Sequence, residues 1–243
     1  MTEWFAKLQK DFVINFINDN RWKYLTTGLG NTLKITLVAT LLGVVIGIIL
    51  AIVRSTWDKN KDTMRRGPGK ALLAIGNAIC QVYLTVIRGT PVVVQLMIIY
   101  YIIFANSKNG IAIAMLAFGL NSGAYVAEII RAGILAVDSG QMEAGRSLGL
   151  SRFQTMRYVV LPQAFKNALP PLCNEFITLL KETAIVGYVG LSDLTRVANQ
   201  ISSATYQAFM PLIGAAVIYL IIVKLLTILF GKMERRMRQG DNR

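Results

Sequence analysis

The sequence predicts an all-α membrane protein with about five transmembrane helices, its N-terminus outside and its C-terminus in the cytoplasm. Three observations lead there. Of 243 residues, 54% are hydrophobic, and the mean hydropathy is +0.50; a soluble domain holds about 45–50% apolar residues. Several apolar runs reach the ~20 residues that a helix needs to cross a bilayer. The formal net charge is +13, and its carriers sit in short blocks between those runs. That pattern fits membrane topology and contact with lipid, and argues against nucleic acid as a partner.

Residues 1–30 read as an N-terminal interfacial segment. Trp4, Phe5, Phe12, Phe16 and Trp22 alternate there with Lys7, Lys10, Arg21 and Lys23 and with the acids Glu3, Asp11 and Asp19. Such a helix lies in the bilayer surface. The charged start, apolar core and small-residue cleavage site of a signal peptide are missing. The transmembrane domain follows over 31–231. Its first span is 33–53, "LKITLVATLLGVVIGIILAIV". The next apolar region, 71–105, exceeds one straight span. The "RGTP" at Arg88–Pro91 predicts a break, because Pro91 removes a backbone donor and Gly89 loosens the turn. Residues 71–87 then form a tilted or partly interfacial approach and 91–105 the deeper half. A third span covers 111–136. A fourth, 163–185, is interrupted by Pro170 and Pro171. The fifth, 207–230, carries Pro211 in its first turn, where proline is tolerated.

Charge sets the orientation. Arg54, Lys59, Lys61, Arg65, Arg66 and Lys70 follow span one; Arg146, Arg152, Arg157 and Lys166 follow span three; a basic tail over 232–243 carries Lys232, Arg235, Arg236, Arg238 and Arg243. Alternating spans put these three blocks on one face. The loops of the other face hold only Lys108 and Arg196. Positive loops stay cytoplasmic.

Between spans three and four lies a polar stretch, 138–162, with signals for two short helices. Asp138 or Ser139 caps the first, which runs through Glu143, Ala144 and Leu148. Gly149 stands where a left-handed C-terminal cap is wanted. Ser151 caps the second, with Gln154 at capping-box spacing. Pro162 marks the bend back into the membrane. The first helix, of about 10 residues, is roughly 15 Å long and cannot span.

The stretch "EAGRSLGLSRFQTMRYVVLPQA" (143–164) resembles the EAA signature of permease subunits of bacterial ABC importers. Glu143, Ala144, Gly149, Val159, Leu161 and Pro162 fall in register. Gly145 replaces the family's second alanine and Val159 its usual isoleucine. "RGTPVVVQLMIIYY" (88–101), "LNSGAYVAEIIRAGI" (120–134) and "LKETAIVGYVGLSDL" (180–194) resemble the branch that carries polar amino acids, so the likeness covers most of 28–231. The resemblance implies a type I importer fold in the bacterial cytoplasmic (inner) membrane. It makes 138–162 a coupling segment, in which Glu143, Ala144, Gly145, Leu148, Gly149, Leu161 and Pro162 meet a groove on an ATP-hydrolysing subunit. The partners it implies are ABC ATPase subunits, a second permease chain, identical or homologous, and an extracytoplasmic solute-binding protein. Methionine, an oxoanion or another small solute would need only the same architecture. A passive channel would need a pore-lining ring or repeated filter, which the sequence does not show.

The chemistry is transport rather than catalysis. "RRGPGKA" (65–71) is the nearest approach to a phosphate-binding loop, but it lacks the first glycine and Ala71 replaces the magnesium-binding hydroxyl. No cofactor is expected on this chain; ATP and Mg belong to the partner ATPase. With no histidine, and Cys80 and Cys173 far apart, a metal site or a disulfide framework is not expected either.

Charged residues within spans cost about 2.5–3.5 kcal/mol each and are functional candidates by default. Glu128 and Arg131 share a helix face, either as a pathway contact or as a structural ion pair. Lys181, Glu182 and Thr183 precede the glycine-rich turn at Gly187 and Gly190, where the resemblance places cargo contacts. Gln95 and Asn121 bind either a zwitterionic ligand or a neighbouring helix. Gln95, Asn121, Glu128, Lys181, Glu182 and Thr183 are therefore the candidate pathway residues. Gly43 and Gly47, like Gly119 and Gly123, stand four apart, which predicts close helix packing, within the chain or across a dimer.

Overall fold

The computed structural model describes residues 2–238, and among them there is no strand. Ten α-helices follow in order: α1 (Thr2–Phe12), α2 (Arg21–Asn60), α3 (Pro68–Gly89), α4 (Val92–Ile98), α5 (Gly110–Leu135), α6 (Ser139–Ser147), α7 (Arg152–Thr155), α8 (Leu161–Glu182), α9 (Leu194–Thr205) and α10 (Phe209–Arg238). π-helical turns cover Val13–Ile17, Ile99–Ile103 and Met156–Val160, and 3₁₀ turns cover Asn18–Asn20 and Thr183–Val189. Of the expected basic tail, residues 239–243, and Arg243 with them, lie outside the described residues.

Four helical stretches are long and apolar enough to cross a membrane: Glu3–Asn60, Pro68–Gly89, Gly110–Leu135 and Phe209–Met237. Here the sequence expectation changes in detail. The break at Thr90 is present, since this residue is extended with φ −124° and ψ 147°. What precedes it is longer than the expected 71–87: Pro68–Gly89 is a helix of 22 residues, long and apolar enough to cross a membrane by itself. Val92–Ile103, the expected deeper half, is the shorter piece. The fourth expected span is α8, also 22 residues long, with Pro170 and Pro171 inside a continuous helix. Its polar content keeps it out of the four most apolar candidates. The division expected at residue 30 falls inside α2, whose 40 residues extend for about 60 Å.

The chain forms two compact units. The first comprises Met1–Val38, Val93–Phe118 and Ile177–Thr227. Its core gathers Phe16, Leu25, Leu194, Val197, Ala198, Ile201 and Ala215. Gly214 lets the Phe16 ring approach, as a Cβ there would lie 2.7 Å from Cζ. Fully buried Asn15 ties the N-terminal segment down: its amide donates to the Asp11 carbonyl at 2.7 Å, and its oxygen accepts from the Thr205 hydroxyl at 2.8 Å. Asp19 and Asn20, both at positive φ, separate this segment from α2.

Asp193 starts α9. Its carboxylate accepts from the backbone N–H groups of Thr195 at 2.8 Å and Arg196 at 3.0 Å, satisfying two of the helix's orphan donors. The residue is fully buried, and that burial pushes its carboxyl above the ordinary carboxylate range against the pull of these bonds. Thr32 and Gly28 of α2 close around it: the Thr32 hydroxyl accepts from Leu194 N–H at 3.2 Å, and a Cβ on Gly28 would lie 2.7 Å from the Asp193 carbonyl oxygen. Asp193→Ala is expected to cost about 1–2 kcal/mol. Asp193→Asn, which keeps an acceptor at the cap, should cost much less. Thermal melts of the purified complex check the order; equal losses would show that the cap does not matter.

The second unit comprises Ala39–Val92, Gly119–Phe176 and Ile228–Arg243. Here the two glycine pairs interlock within the chain. A Cβ on Gly43 would lie 3.0 Å from Ser122, one on Gly47 2.5 Å from Val126, one on Gly119 2.8 Å from Leu42 and one on Gly123 2.7 Å from Ile46. Small residues bring helix backbones close, so that dispersion, the main attraction between helices in lipid, is maximised. Leu84, Ala124 and Ala127 pack beside this crossing, and the Tyr83 hydroxyl donates to the Leu120 carbonyl.

Candidate functional site

Two features of the second unit hold candidate residues: a helical hairpin and a polar cavity. The hairpin is α6, a tight turn, α7 and the π-helical turn Met156–Val160. Asp138 caps α6, its Oδ1 accepting from Gly140 N–H at 2.6 Å. At the other end Gly149 has φ +86°. Leu150 N–H bonds to the Gly145 carbonyl at 3.1 Å and Gly149 N–H to the Arg146 carbonyl at 3.0 Å. These two bonds are the Schellman pair that satisfies the last carbonyls of a helix. One residue later Ser151 and Gln154 form a complete capping box. The hairpin therefore turns within Leu148–Ser151 without fraying either helix.

Gly145, the replacement for alanine, is buried where α6 meets α7, and a Cβ there would strike the Thr155 methyl. Thr155 cannot swing away freely, because its hydroxyl donates to the Ser151 carbonyl at 3.0 Å. The arms are also joined by Gln163, whose amide donates to Gln141 Oε1 at 3.2 Å. Glu143, Ala144 and Gly149 are exposed. Leu148 is 83% and Phe153 71% exposed, an unusual display for apolar side chains at a helix turn. Leu161 and Pro162 open α8. Pro162 does not bend the chain out of helix as expected; helical structure continues from Arg152 to Glu182. The reason is the π-helical turn just before it, where Leu161 N–H reaches the Met156 carbonyl. The wider winding accommodates a residue without its own N–H.

The cavity has a volume of about 540 Å³ and is lined by Arg54, Gln81, Leu84, Thr85, Arg88, Gly89 and Glu128. Glu128 is its acid. The predicted pair is present: Arg131 Nη2 lies 2.9 Å from Glu128 Oε2. Arg131 also reaches Asp58 at 3.6 Å, and Arg88 stands 3.9 Å from the same Glu128 oxygen. The pair is thus part of a four-residue charge cluster, with Arg54 on the wall of the same cavity.

The other candidates fall elsewhere. Asn121 is buried in the second unit. Its neighbour Ser122 donates to Glu175 Oε1 at 2.9 Å. Gln95 is buried in the first unit. Thr183, also there, is fully buried and its hydroxyl donates to the Leu180 carbonyl at 2.7 Å, a local helix bond. Lys181 is exposed and Glu182 half-buried. Sequence reasoning missed Arg54, which read as a loop charge, and Arg88, which read as part of the break. It also passed over Glu175, a carboxylate in the middle of α8. That acid stands in an apolar run, the signal that singled out Glu128.

Among the described residues the fold is all helical, with four helices long and apolar enough to cross a membrane, which defines a multi-pass membrane protein. The family model described as "binding-protein-dependent transport system inner membrane component" matches residues 71–239. The arginine transport system permease protein ArtQ of Bacillus subtilis is 46% identical over 166 residues, 67% of this chain and 76% of that protein. The glutamine transport system permease protein GlnP of Escherichia coli K12 is 41% identical over 169 residues, 68% of this chain and 77% of that one. Among solved structures, an amino acid ABC transporter crystallised with histidines superposes with a TM-score of 0.77 at 42% identity, over 88% of this chain and 94% of that one. An inward-facing MetNI methionine ABC transporter matches in fold, with a TM-score of 0.74 at 22% identity, over 90% and 99%. The chain belongs to the family of binding-protein-dependent transport system inner membrane components.

Proposed function

We propose that this chain is the transmembrane subunit of an ATP-driven importer of polar amino acids in the bacterial cytoplasmic membrane. Its relatives at 46% and 41% identity are named for arginine and glutamine transport, and a 42% identical structural match is an amino acid transporter. The observation that carries the mechanism is the hairpin: a rigid turn locked by Gly149, with Leu148 standing out. An apolar tip on a rigid lever gives an ATPase something to bury and to push. Glu143, Ala144, Gly145, Leu148 and Gly149 form or support that tip, and Leu161 and Pro162 join it to the next span.

The N-terminus lies outside and the hairpin inside. Two permease chains form the pathway, two ATPases bind ATP and Mg below, and an external solute-binding protein delivers cargo. Closure of the ATPase pair draws the two hairpins together and rocks the spans between inward-facing and outward-facing states. α1, with Trp4 and Phe5 exposed, lies in the lipid interface. The candidate pathway residues are Asn121 and Glu128 in the second unit, and Gln95, Lys181, Glu182 and Thr183 in the first.

The test is reconstitution with the partner ATPase in proteoliposomes, supplied with the matching binding protein and a panel of amino acids. Loaded binding protein should stimulate ATP hydrolysis, and the same amino acid should accumulate inside. Accumulation without ATP, or hydrolysis indifferent to every amino acid, would overturn the reading.

A further inference from the structure

We propose that the loop between α2 and α3 seats the headgroup of an anionic phospholipid, whose acyl chains lie along the exposed face of α3. This seat rests on the membrane orientation proposed above, not on which cargo is carried. Lys59, Lys61, Arg65, Arg66 and Lys70 crowd the run 59–70, with Asp62 as its single acid. Asp58, just before the run, is turned to Arg131 at 3.6 Å. Among the described residues none of the five cations is ion-paired. Lysines and arginines gathered at the cytoplasmic end of a membrane helix attract anionic lipid, each by about fivefold in affinity.

Hydrogen bonds hold the loop in one shape. Lys61 N–H bonds to the Trp57 carbonyl at 2.9 Å and Met64 N–H to the Asn60 carbonyl at 2.9 Å, which carries the helical winding past the end of α2. Lys70 Nζ donates to the Lys61 carbonyl at 2.6 Å and so closes the loop. With Lys70 engaged on the backbone, Lys59, Lys61, Arg65 and Arg66 are the cations left exposed. Arg152, on α7 of the hairpin, stands near enough for its charge to act on Lys59. Like charges so placed repel, and a phosphate oxygen shared between them turns the repulsion into attraction.

The face of α3 beside the loop identifies the anion as a lipid. Leu72, Ile75, Ile79, Val82 and Val86 repeat at alternating spacings of three and four, so they share one side of the helix. Each is more than half exposed. The stripe begins two residues after Lys70 and runs for about 21 Å, whereas the hydrocarbon of one leaflet is about 15 Å deep. An acyl chain laid on the stripe brings its headgroup level with the loop. A soluble phosphate would need the cations alone. The basic end of α10 does not repeat the arrangement, because it is continuous helix with Glu234 among its cations.

Trp57, half-buried two residues before Lys59, reports on the seat. The permease–ATPase complex is placed in phosphatidylcholine nanodiscs with a minor share of a lipid brominated high in its chains, either phosphatidylglycerol or phosphatidylcholine. Bromine quenches tryptophan at close range, and the emission of Trp57 is the difference between the wild-type complex and Trp57→Phe. Brominated phosphatidylglycerol is expected to quench it several-fold more than brominated phosphatidylcholine. Arg65→Gln with Arg66→Gln should cut that preference about threefold or more, and Arg65→Lys with Arg66→Lys should keep most of it. Arg235→Gln with Arg236→Gln removes as much charge from the end of α10 and should leave the preference unchanged. Melting temperature confirms that the variants fold. Equal quenching by the two lipids in wild type, as would follow if a second permease chain covered the stripe, overturns the seat. An equal loss in the α10 variant overturns it too, since the preference would then be a diffuse field of the whole basic face. A preference abolished by inorganic phosphate, but not by chloride at equal ionic strength, would assign the cations to a soluble anion and overturn it, and glutamine variants that shed the ATPase would assign the loop to that subunit with the same result. If amino acids accumulate in the panel above while the preference is absent, the seat is wrong and the import reading stands. If the preference is present while no amino acid accumulates, the seat stands and the import reading falls.

Discussion

Complexes carrying Gly149→Val are expected to hydrolyse ATP while import falls at least tenfold, whereas Gly149→Asn should keep most of the import. Nothing lies within 4 Å of a Cβ built at this position, so crowding is not the cause. The cause is the backbone, held at φ +86°. That region costs an ordinary residue about 1–2 kcal/mol, and a β-branched residue more, while asparagine enters it readily. Valine can relieve the strain only by giving up the bonds from Leu150 and Gly149 that close α6. The tip would then yield when the ATPase pushes, and force would not reach the spans. Insertion should be unaffected, because the turn lies outside the apolar helices. Transport per ATP in proteoliposomes is the measurement. A valine variant with normal import and normal turnover would show that the turn does not transmit force.

The second large effect is expected at Gly47. A Cβ there would sit 2.5 Å from Val126 Cγ1 and 2.9 Å from the Ala127 amide nitrogen. Part of the obstacle is backbone, which cannot rotate aside. Gly47→Leu must push α2 and α5 apart at their closest approach, and overpacking of this kind costs about 1–3 kcal/mol. The purified complex should melt several degrees lower and yield less monodisperse protein. Gly231→Leu serves as control, since a Cβ at Gly231 meets nothing within 4 Å. Gly47→Ala with Val126→Ala should recover much of the loss. Equal melting of the Gly47→Leu and Gly231→Leu proteins would mean that the interlocked glycines are not a structural contact.

Much of the hairpin was legible beforehand. Asp138, Gly149, Ser151 and Gln154 act through their own backbone or a neighbour's, so spacing along the chain reveals them. The glycine pairs were legible as packing signals but not as to partner; only the structure shows that Gly43 and Gly47 face Ser122 and Val126 in the same chain. Two proline readings needed correction for a related reason. Proline marks a missing donor, yet whether the helix breaks depends on what surrounds it. At Pro162 a π-helical turn absorbs the defect, and around Pro170 and Pro171 the helix runs on.

The apolar runs and the basic blocks between them are properties of the chain itself, since transfer into lipid depends on composition over about 20 residues. The membrane class, the helical caps and the lack of a phosphate-binding loop therefore followed from residue order alone. The cavity did not. Arg54, Arg88 and Glu128 come from three helices and converge only when α2, α3 and α5 pack. An isolated arginine reads as a loop charge or a snorkelling side chain, because its meaning depends on which acid already holds its neighbour. That pairing is a matter of distances between helices, and only the tertiary structure sets them.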